Sequence, residues 1–281
     1  MVPSVPRTRR YTAVSMVTRR RTRAGSVALV TGAARRIGRE IALALARDGW
    51  DIAIHYATSR DDALQTVAGV EELGRRAVAV NRDLAVEAGV RSLLAECADE
   101  LGPVTCVVNN ASLFERDDIA SFSGDHLVRA MRTNVAAPVL LAQALRDQLP
   151  PDARGVVINL LDQKLANPNP DFLSYTLSKA ALQEATTLLA MALAPAVRVV
   201  GVAPGLTLMS GDQSEAGFAR AHTRTPLGRS STPADIAQAV AYLAKADAVT
   251  GTTLLVDGGQ HLVPSERDVM FLTEPMREGR K

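Results

Sequence analysis

Ser26-Val-Ala-Leu-Val-Thr31, Gly32-Ala-Ala-Arg-Arg-Ile-Gly38 and Arg39-Glu-Ile-Ala-Leu-Ala-Leu-Ala-Arg-Asp-Gly49 follow one another without a break. The first is a short, apolar, β-rich run with the character of a buried strand. The last has apolar residues at helical spacing and a glycine stop at Gly49. Strand, glycine turn and helix in this order open a dinucleotide-binding fold. There a pyrophosphate lies against the free N–H groups and the positive dipole end of the helix. Gly32 permits the tight turn and Gly38 a close approach of backbone. Arg35, Arg36 and Ile37, between the glycines, join them as candidate cofactor-binding residues.

Working outward, the second strand is Asp51-Ile-Ala-Ile-His-Tyr56, followed by polar Ala57-Thr-Ser-Arg60. An acidic residue at this strand end would accept hydrogen bonds from a ribose 2′-hydroxyl and repel a 2′-phosphate. This chain has His55, Tyr56, Thr58, Ser59 and Arg60 instead, with Asp61 and Asp62 only after them. Hydroxyl donors and a guanidinium suit a phosphate dianion, so the expected cofactor is NADPH. The competing interpretation has Arg60 capping a loop while Asp61 starts the next helix. A third strand, Arg76-Ala-Val-Ala-Val80, leads to Asn81-Arg-Asp83-Leu84. A fourth, Thr105-Cys-Val-Val108, leads to Asn109-Asn-Ala-Ser112. Strands at 155–161, 197–202 and 252–256 continue the alternation with helix-length segments. The predicted class is α/β: a single Rossmann-type doubly wound domain with a seven-stranded parallel sheet flanked by helices.

Tyr175 and Lys179 stand four residues apart, on one face of a predicted helix that runs to about Ala194, and Asp162 lies 13 residues before the tyrosine. An ammonium that close is expected to favour the phenolate and lower the tyrosine pKa from its reference near ~10. Tyr175 is thereby a candidate proton donor or acceptor beside a carbonyl or imine. Tyr-x-x-x-Lys also arises by chance as an exposed aromatic beside a solvated charge.

The composition bounds the function further. A hydrophobic fraction of 47% supplies ample core, and no apolar run approaches the ~20 residues of a membrane span. Net charge is +2, but residues 1–24 hold seven arginines and no acid, and removing those charges leaves about −5. This extension is expected to be disordered, or to reflect a start placed too early, with Met16 as an alternative initiator. A transit peptide or nucleic-acid arm is the competing interpretation. Cys97 and Cys106 fall in a predicted helix and strand with no Cys-x-x-Cys neighbour, which points to a reduced, cytoplasmic setting. The four histidines show no ligand spacing, so no metal is expected. Residues 25–262 form the expected NADP-binding domain. A polar stretch at 209–228 lies where a lid would fall. The tail 263–281, with Met270-Phe-Leu272 amid charges, is a possible subunit contact.

Over roughly 25–262 the chain resembles the short-chain dehydrogenase/reductase family. The matching elements are Thr31-Gly32…Gly38, Asp83-Leu84, Asn109-Asn110-Ala111, Asn134, Tyr175…Lys179, Pro204-Gly205 and Val256-Asp257-Gly258-Gly259. The resemblance implies that Lys179 also holds the nicotinamide ribose and that Asn134 helps hold a relay water. It places Asp83, with Leu84, at the adenine, Asn110, Ala111 and Ser112 along the cofactor, and Pro204, Gly205 and Leu206 in the loop facing the nicotinamide. It also implies a homotetramer.

Two departures narrow the resemblance. The family's middle glycine is replaced by Arg36, and its usual catalytic serine by Asp162. Both are similar to the pteridine reductase branch, as is Asn109-Asn-Ala-Ser112-Leu-Phe114. A pterin is flat and rich in hydrogen-bonding edges, so Phe114 would cover one face while Ser112 met its polar groups. Arg36 would bring donors to the pyrophosphate and to the pterin carbonyl. A carboxylate at 162 opposes negative charge growing on a ketone oxygen. A carboxyl with its pKa raised by burial would instead relay a proton through Tyr175 to a ring nitrogen. The expected activity is NADPH-dependent reduction of a dihydropterin, dihydromonapterin or dihydrofolate, with Asp162, Tyr175, Lys179 and Asn134 as catalytic residues. The expected partner is thus a small pterin or folate, with no nucleic acid or membrane. The alternatives are a carbonyl reductase of the 3-oxoacyl carrier-protein type and a non-catalytic NADPH-sensing or nucleic-acid-binding protein.

Overall fold

The computed structural model describes residues 26–209 and 213–273. The Arg-rich segment 1–24, Met16 and the tail beyond 273 lie outside the described residues, as do positions 210–212 of the expected lid. Seven strands form one parallel sheet in the order β3-β2-β1-β4-β5-β6-β7. They are β1 (Val27–Val30), β2 (Asp51–Tyr56), β3 (Ala77–Asn81), β4 (Val104–Asn109), β5 (Gly155–Leu160), β6 (Val197–Pro204) and β7 (Thr253–Val256). Each falls within one or two residues of its expected ends. The helices are α1 (Arg36–Arg47), α2 (Arg60–Glu72), α3 (Glu87–Leu101), α4 (Gly124–Met131), α5 (Ala137–Gln148), α6 (Leu173–Leu193), α7 (Glu215–His222), α8 (Pro233–Lys245) and α9 (Val269–Thr273).

The strands are apolar on both faces because both faces are covered. Along β1, Ala28 and Val30 enter a core with Ile41 and Leu45 of α1 and Ile236 and Val240 of α8. Val27 and Leu29 enter a second core with Leu93 and Leu94 of α3 and Leu141 and Leu145 of α5. This period of two fixes the register, since each fully buried side chain of this size contributes roughly 1.5–3 kcal/mol. From the central pair β1 and β4 the chain winds outward in both directions. That leaves a crevice beyond the carboxyl ends of the strands.

Two local features shape that crevice. Between α4 and α5 the helix widens into one π turn, Arg132–Ala136, which holds Asn134 buried. Such turns recur at functional sites, and nothing in the sequence announced this one. The chain after β7 then folds back along its own domain, where the Asn167 amide donates to the Val263 carbonyl at 2.7 Å and Phe271 stacks near Phe172. Phe271, from the apolar run expected at a subunit contact, thus has a ring partner within its own domain.

Candidate active site

The glycine turn is knit by neutral groups. Thr31 Oγ1 accepts the Asn110 and Ala111 N–H groups, both at 3.0 Å. The Asn110 side-chain amide donates to the carbonyls of Thr31 (2.8 Å) and Gly32 (3.1 Å). Gly32 has φ +63°, and a Cβ on Gly38 would lie 2.2 Å from the Gly32 carbonyl oxygen, so backbone fills the space where any side chain would go. Arg35, at the N-cap of α1, makes no side-chain capping bond. The first-turn N–H groups are therefore left to an anion, and the turn fits a dinucleotide pyrophosphate.

His55 departs from expectation. It is 2% exposed, accepts the Gly32 N–H on Nδ1 (3.1 Å) and places Nε2 3.0 Å from the Arg82 carbonyl. Those partners require the neutral ring with the proton on Nε2, and burial lowers its pKa accordingly. Both nitrogens are committed, so His55 braces the turn and does not reach a 2′-phosphate. Tyr56 packs half-buried against the α1 core. Ser59 is the N-cap of α2 with no capping bond, and Arg60 opens that helix with its side chain exposed. These two remain the 2′-phosphate candidates. Asp61 falls in the first turn rather than at the cap. Asp83 is exposed and accepts the Ala85 N–H at 2.8 Å, while Leu84 is buried beside it.

Asp162, Tyr175 and Lys179 converge at the end of β5. The Tyr175 hydroxyl donates to Asp162 Oδ2 at 2.8 Å, and Asp162 Oδ1 accepts the Lys164 N–H at 2.8 Å. Asp162 thus both caps the short turn Gln163–Leu165 and holds the phenol. Burial pushes its carboxyl above the usual carboxylate range, against those two hydrogen bonds. The expected fall in the Tyr175 pKa is reversed. Burial first, and the Asp162 charge second, push the phenol well above its ordinary value. The Lys179 ammonium donates to the Leu160 carbonyl at 2.6 Å and lies 5.7 Å from the tyrosine ring centre. Burial brings Lys179 down to about 8, opposed by the Asp162 charge.

Asn134 accepts from the Leu113 N–H (2.7 Å) and Ser112 Oγ (3.3 Å) and donates to the Leu113 carbonyl (3.0 Å) and Ser178 Oγ (2.9 Å). These four bonds commit its side-chain amide and tie the Ser112–Phe114 loop to α6. Phe114 stacks on Phe172 (4.4 Å between centres) and meets Tyr175 edge-on (4.7 Å). It remains 42% exposed, enough to present ring surface to a ligand. Arg36 holds φ 57°, where the family's glycine would sit. Its guanidinium donates to the Met209 carbonyl at 2.9 Å rather than turning wholly to the glycine turn.

Arg36, Ser112, Phe114, Asp162, Tyr175 and Lys179 line one cavity of about 310 Å³, together with Pro204, Gly205 and Leu206. The sequence did not single out its other wall. Lys164, 3% exposed, pairs with Asp268 at 3.2 Å, and Arg267 grips Asp171 through Nε and Nη2 at 2.8–3.1 Å. Arg116 and Arg267 lie over the Phe271 ring at 4.7 and 5.1 Å. The one signal available was Met270-Phe-Leu272. Among the described residues no cluster of His, Cys, Asp and Glu is arranged to hold a metal, and no helix is long and apolar enough to cross a membrane.

Comparison with known proteins matches residues 32–261 to a family model described as enoyl-(acyl carrier protein) reductase. The chain is 35% identical over 246 residues to an uncharacterized oxidoreductase of Methylorubrum extorquens, covering 84% of this chain and 97% of that one. It is 32% identical over 240 residues to a 3-oxoacyl-[acyl-carrier-protein] reductase of Staphylococcus epidermidis, at 84% and 98% coverage. Among solved structures, FolM alternative dihydrofolate reductase 1 from Brucella suis in complex with NADP superposes with a TM-score of 0.82. That pair is 40% identical, over 86% of this chain and 97% of the other.

Proposed function

The chain belongs to the short-chain dehydrogenase/reductase family, and on that premise we propose that it is an NADPH-dependent reductase of a pterin substrate. The observation that carries this reading is the half-buried Asp162 carboxyl accepting the Tyr175 hydroxyl at 2.8 Å. A carbonyl reductase needs a donor turned to the substrate oxygen there, whereas both Asp162 oxygens accept, from the Lys164 N–H and the Tyr175 hydroxyl.

Gly32, Gly38, Arg35 and the α1 N-terminus would hold the NADPH pyrophosphate, Ser59 and Arg60 its 2′-phosphate, Asp83 and Leu84 its adenine. Ala111, Lys179 and the Pro204-Gly205 loop would hold the nicotinamide end. When bound, NADPH supplies the hydride. Tyr175 keeps its proton, since burial and Asp162 both disfavour the phenolate. Once the Tyr175 hydroxyl turns from Asp162 and gives its proton to a substrate nitrogen, Asp162 in its protonated form, favoured by its raised pKa, can return a proton to the phenolate oxygen. Lys179 places a positive charge beneath the pair and orients the Leu160 carbonyl. Ser112 and Phe114, pinned by Asn134, would present a polar edge and a ring face to the pterin.

A second reading, reduction of a ketone or acyl thioester, is favoured by the relationship to 3-oxoacyl-[acyl-carrier-protein] reductases. Loss of NADPH absorbance with dihydrobiopterin, dihydromonapterin and dihydrofolate, beside a ketone and an acetoacetyl thioester, separates the two. Turnover of a pterin but not the carbonyls is the expected result, and turnover of the carbonyls alone overturns it. A homotetramer and a cytoplasmic setting accompany the same reading.

A further inference from the structure

Five cations line the active-site cavity, Arg36, Lys164, Lys179, Arg224 and Arg267, against two acids, Asp162 and Asp268. Four of the five are already engaged. Lys164 pairs with Asp268, Arg267 with Asp171, Lys179 donates to the Leu160 carbonyl and Arg36 to the Met209 carbonyl. The Arg224 guanidinium, exposed just past the end of α7, has no hydrogen bond or ion pair among the described residues.

The next residue gives an independent sign. Thr225 is 8% exposed, lines the same cavity, and its Oγ1 is buried without a hydrogen-bond partner. A buried hydroxyl left unpaired costs about 1–3 kcal/mol, so such groups are normally satisfied, here by whatever enters the cavity. Gln163 Oε1, also in the lining, is likewise buried and unpartnered, an acceptor for a ligand N–H. A free guanidinium and an unpaired hydroxyl on successive residues of one cavity lining match a carboxylate, which accepts two donors at once. A pterin ring carries no carboxylate of its own, so the anion must hang from it.

Resting on the pterin reading above, we propose that Arg224 and Thr225 form a carboxylate subsite that selects a pterin bearing an acidic aminoacyl tail, a folate-type substrate, over pterins with neutral side chains. Arg224 acts on substrate affinity and stands apart from the proton-transfer pair. The neutral pterin meets only the ring-binding groups, while the acidic one gains the charge-assisted contact at the lid.

The test compares wild type and Arg224→Gln on dihydrofolate and on dihydrobiopterin at saturating NADPH. The expected result is a rise of about tenfold in KM for dihydrofolate with kcat kept, the scale of one charge-assisted hydrogen bond, and a change under about twofold for dihydrobiopterin. Arg224→Lys should recover part of the loss. Calorimetric binding of p-aminobenzoylglutamate should weaken in Arg224→Gln, and in Thr225→Val to a smaller degree. An equal change for both substrates, no change for either, or weakened NADPH binding overturns the subsite. A wild-type enzyme that reduces dihydrobiopterin but not dihydrofolate also overturns it and leaves the pterin reading standing. Failure on every pterin removes that reading first.

Discussion

The two sides of the crevice are built from different materials. The cofactor side, around β1, β2 and β4, is made of backbone and neutral amides, with Thr31, His55 and Asn110 fully committed to holding one turn. The substrate side, at the ends of β5 and β6, is made of buried ionisable groups. Lys164 and Lys179 are each 3% exposed, Asp162 is half-buried beside them, and a strap late in the chain brings Asp268 to Lys164. A neutral scaffold holds its shape across pH and asks only that the ligand fit. A charged wall changes with protonation and can do chemistry.

The comparison breaks most directly at Asp162. Asp162→Asn should lower kcat on the pterin by about a hundredfold or more, the usual range for a proton-transfer group, with NADPH binding unchanged by fluorescence titration. Near-normal kcat would remove Asp162 from the chemistry. On the opposite side, Gly38→Ala should do the reverse, because its Cβ would meet the Gly32 carbonyl oxygen at 2.2 Å. NADPH affinity should fall about tenfold or more, with a destabilisation of about 1–3 kcal/mol in urea melts.

Protonation sharpens the contrast. Lys179, brought down to about 8, carries its charge below that pH and loses it above, so turnover that needs the ammonium should decline as pH rises through 8. Between 8 and its ordinary 10.5 the unfolded chain binds more protons at this site than the folded one. Stability from this group therefore rises with pH over that window, and denaturation of Lys179→Met should lack the rise. His55→Ala leaves the Gly32 N–H and the Arg82 carbonyl without their partner, at about 1–3 kcal/mol of stability. The preference for NADPH over NADH should survive that change and shift only with Arg60→Ala. Smallest of all on turnover, Arg267→Ala should raise the pterin KM a fewfold, with a fall in melting temperature because the Asp171 side chain, 9% exposed, loses its guanidinium partner.

What the sequence made legible follows the same line. The glycine turn could be read because its strand, glycines and helix are neighbours along the chain. Tyr175, Lys179 and Asp162 could be placed because a helix and a strand end fix their spacing. The fate of His55 could not, since its partners are backbone groups brought in by β1 and the segment after β3. The direction of the Lys179 ammonium was hidden too. Helical spacing sets it near Tyr175, but the Leu160 carbonyl that captures it belongs to another element. The strap was least legible of all, because Lys164 and Asp268 meet across 104 residues. No local pattern marks such a pair.

Arg36 carries a last consequence. An arginine at φ 57° gives up about 1–2 kcal/mol that a glycine would not, yet it reaches across the cavity to the Met209 carbonyl. The Met209 carbonyl is therefore held before any substrate arrives, and the entropy of ordering it is lost at folding instead of at binding. Arg36→Gly would relax the backbone and give a hardier protein. It would also be a slower one at low substrate, because each encounter would have to arrange for itself what the arginine arranges once.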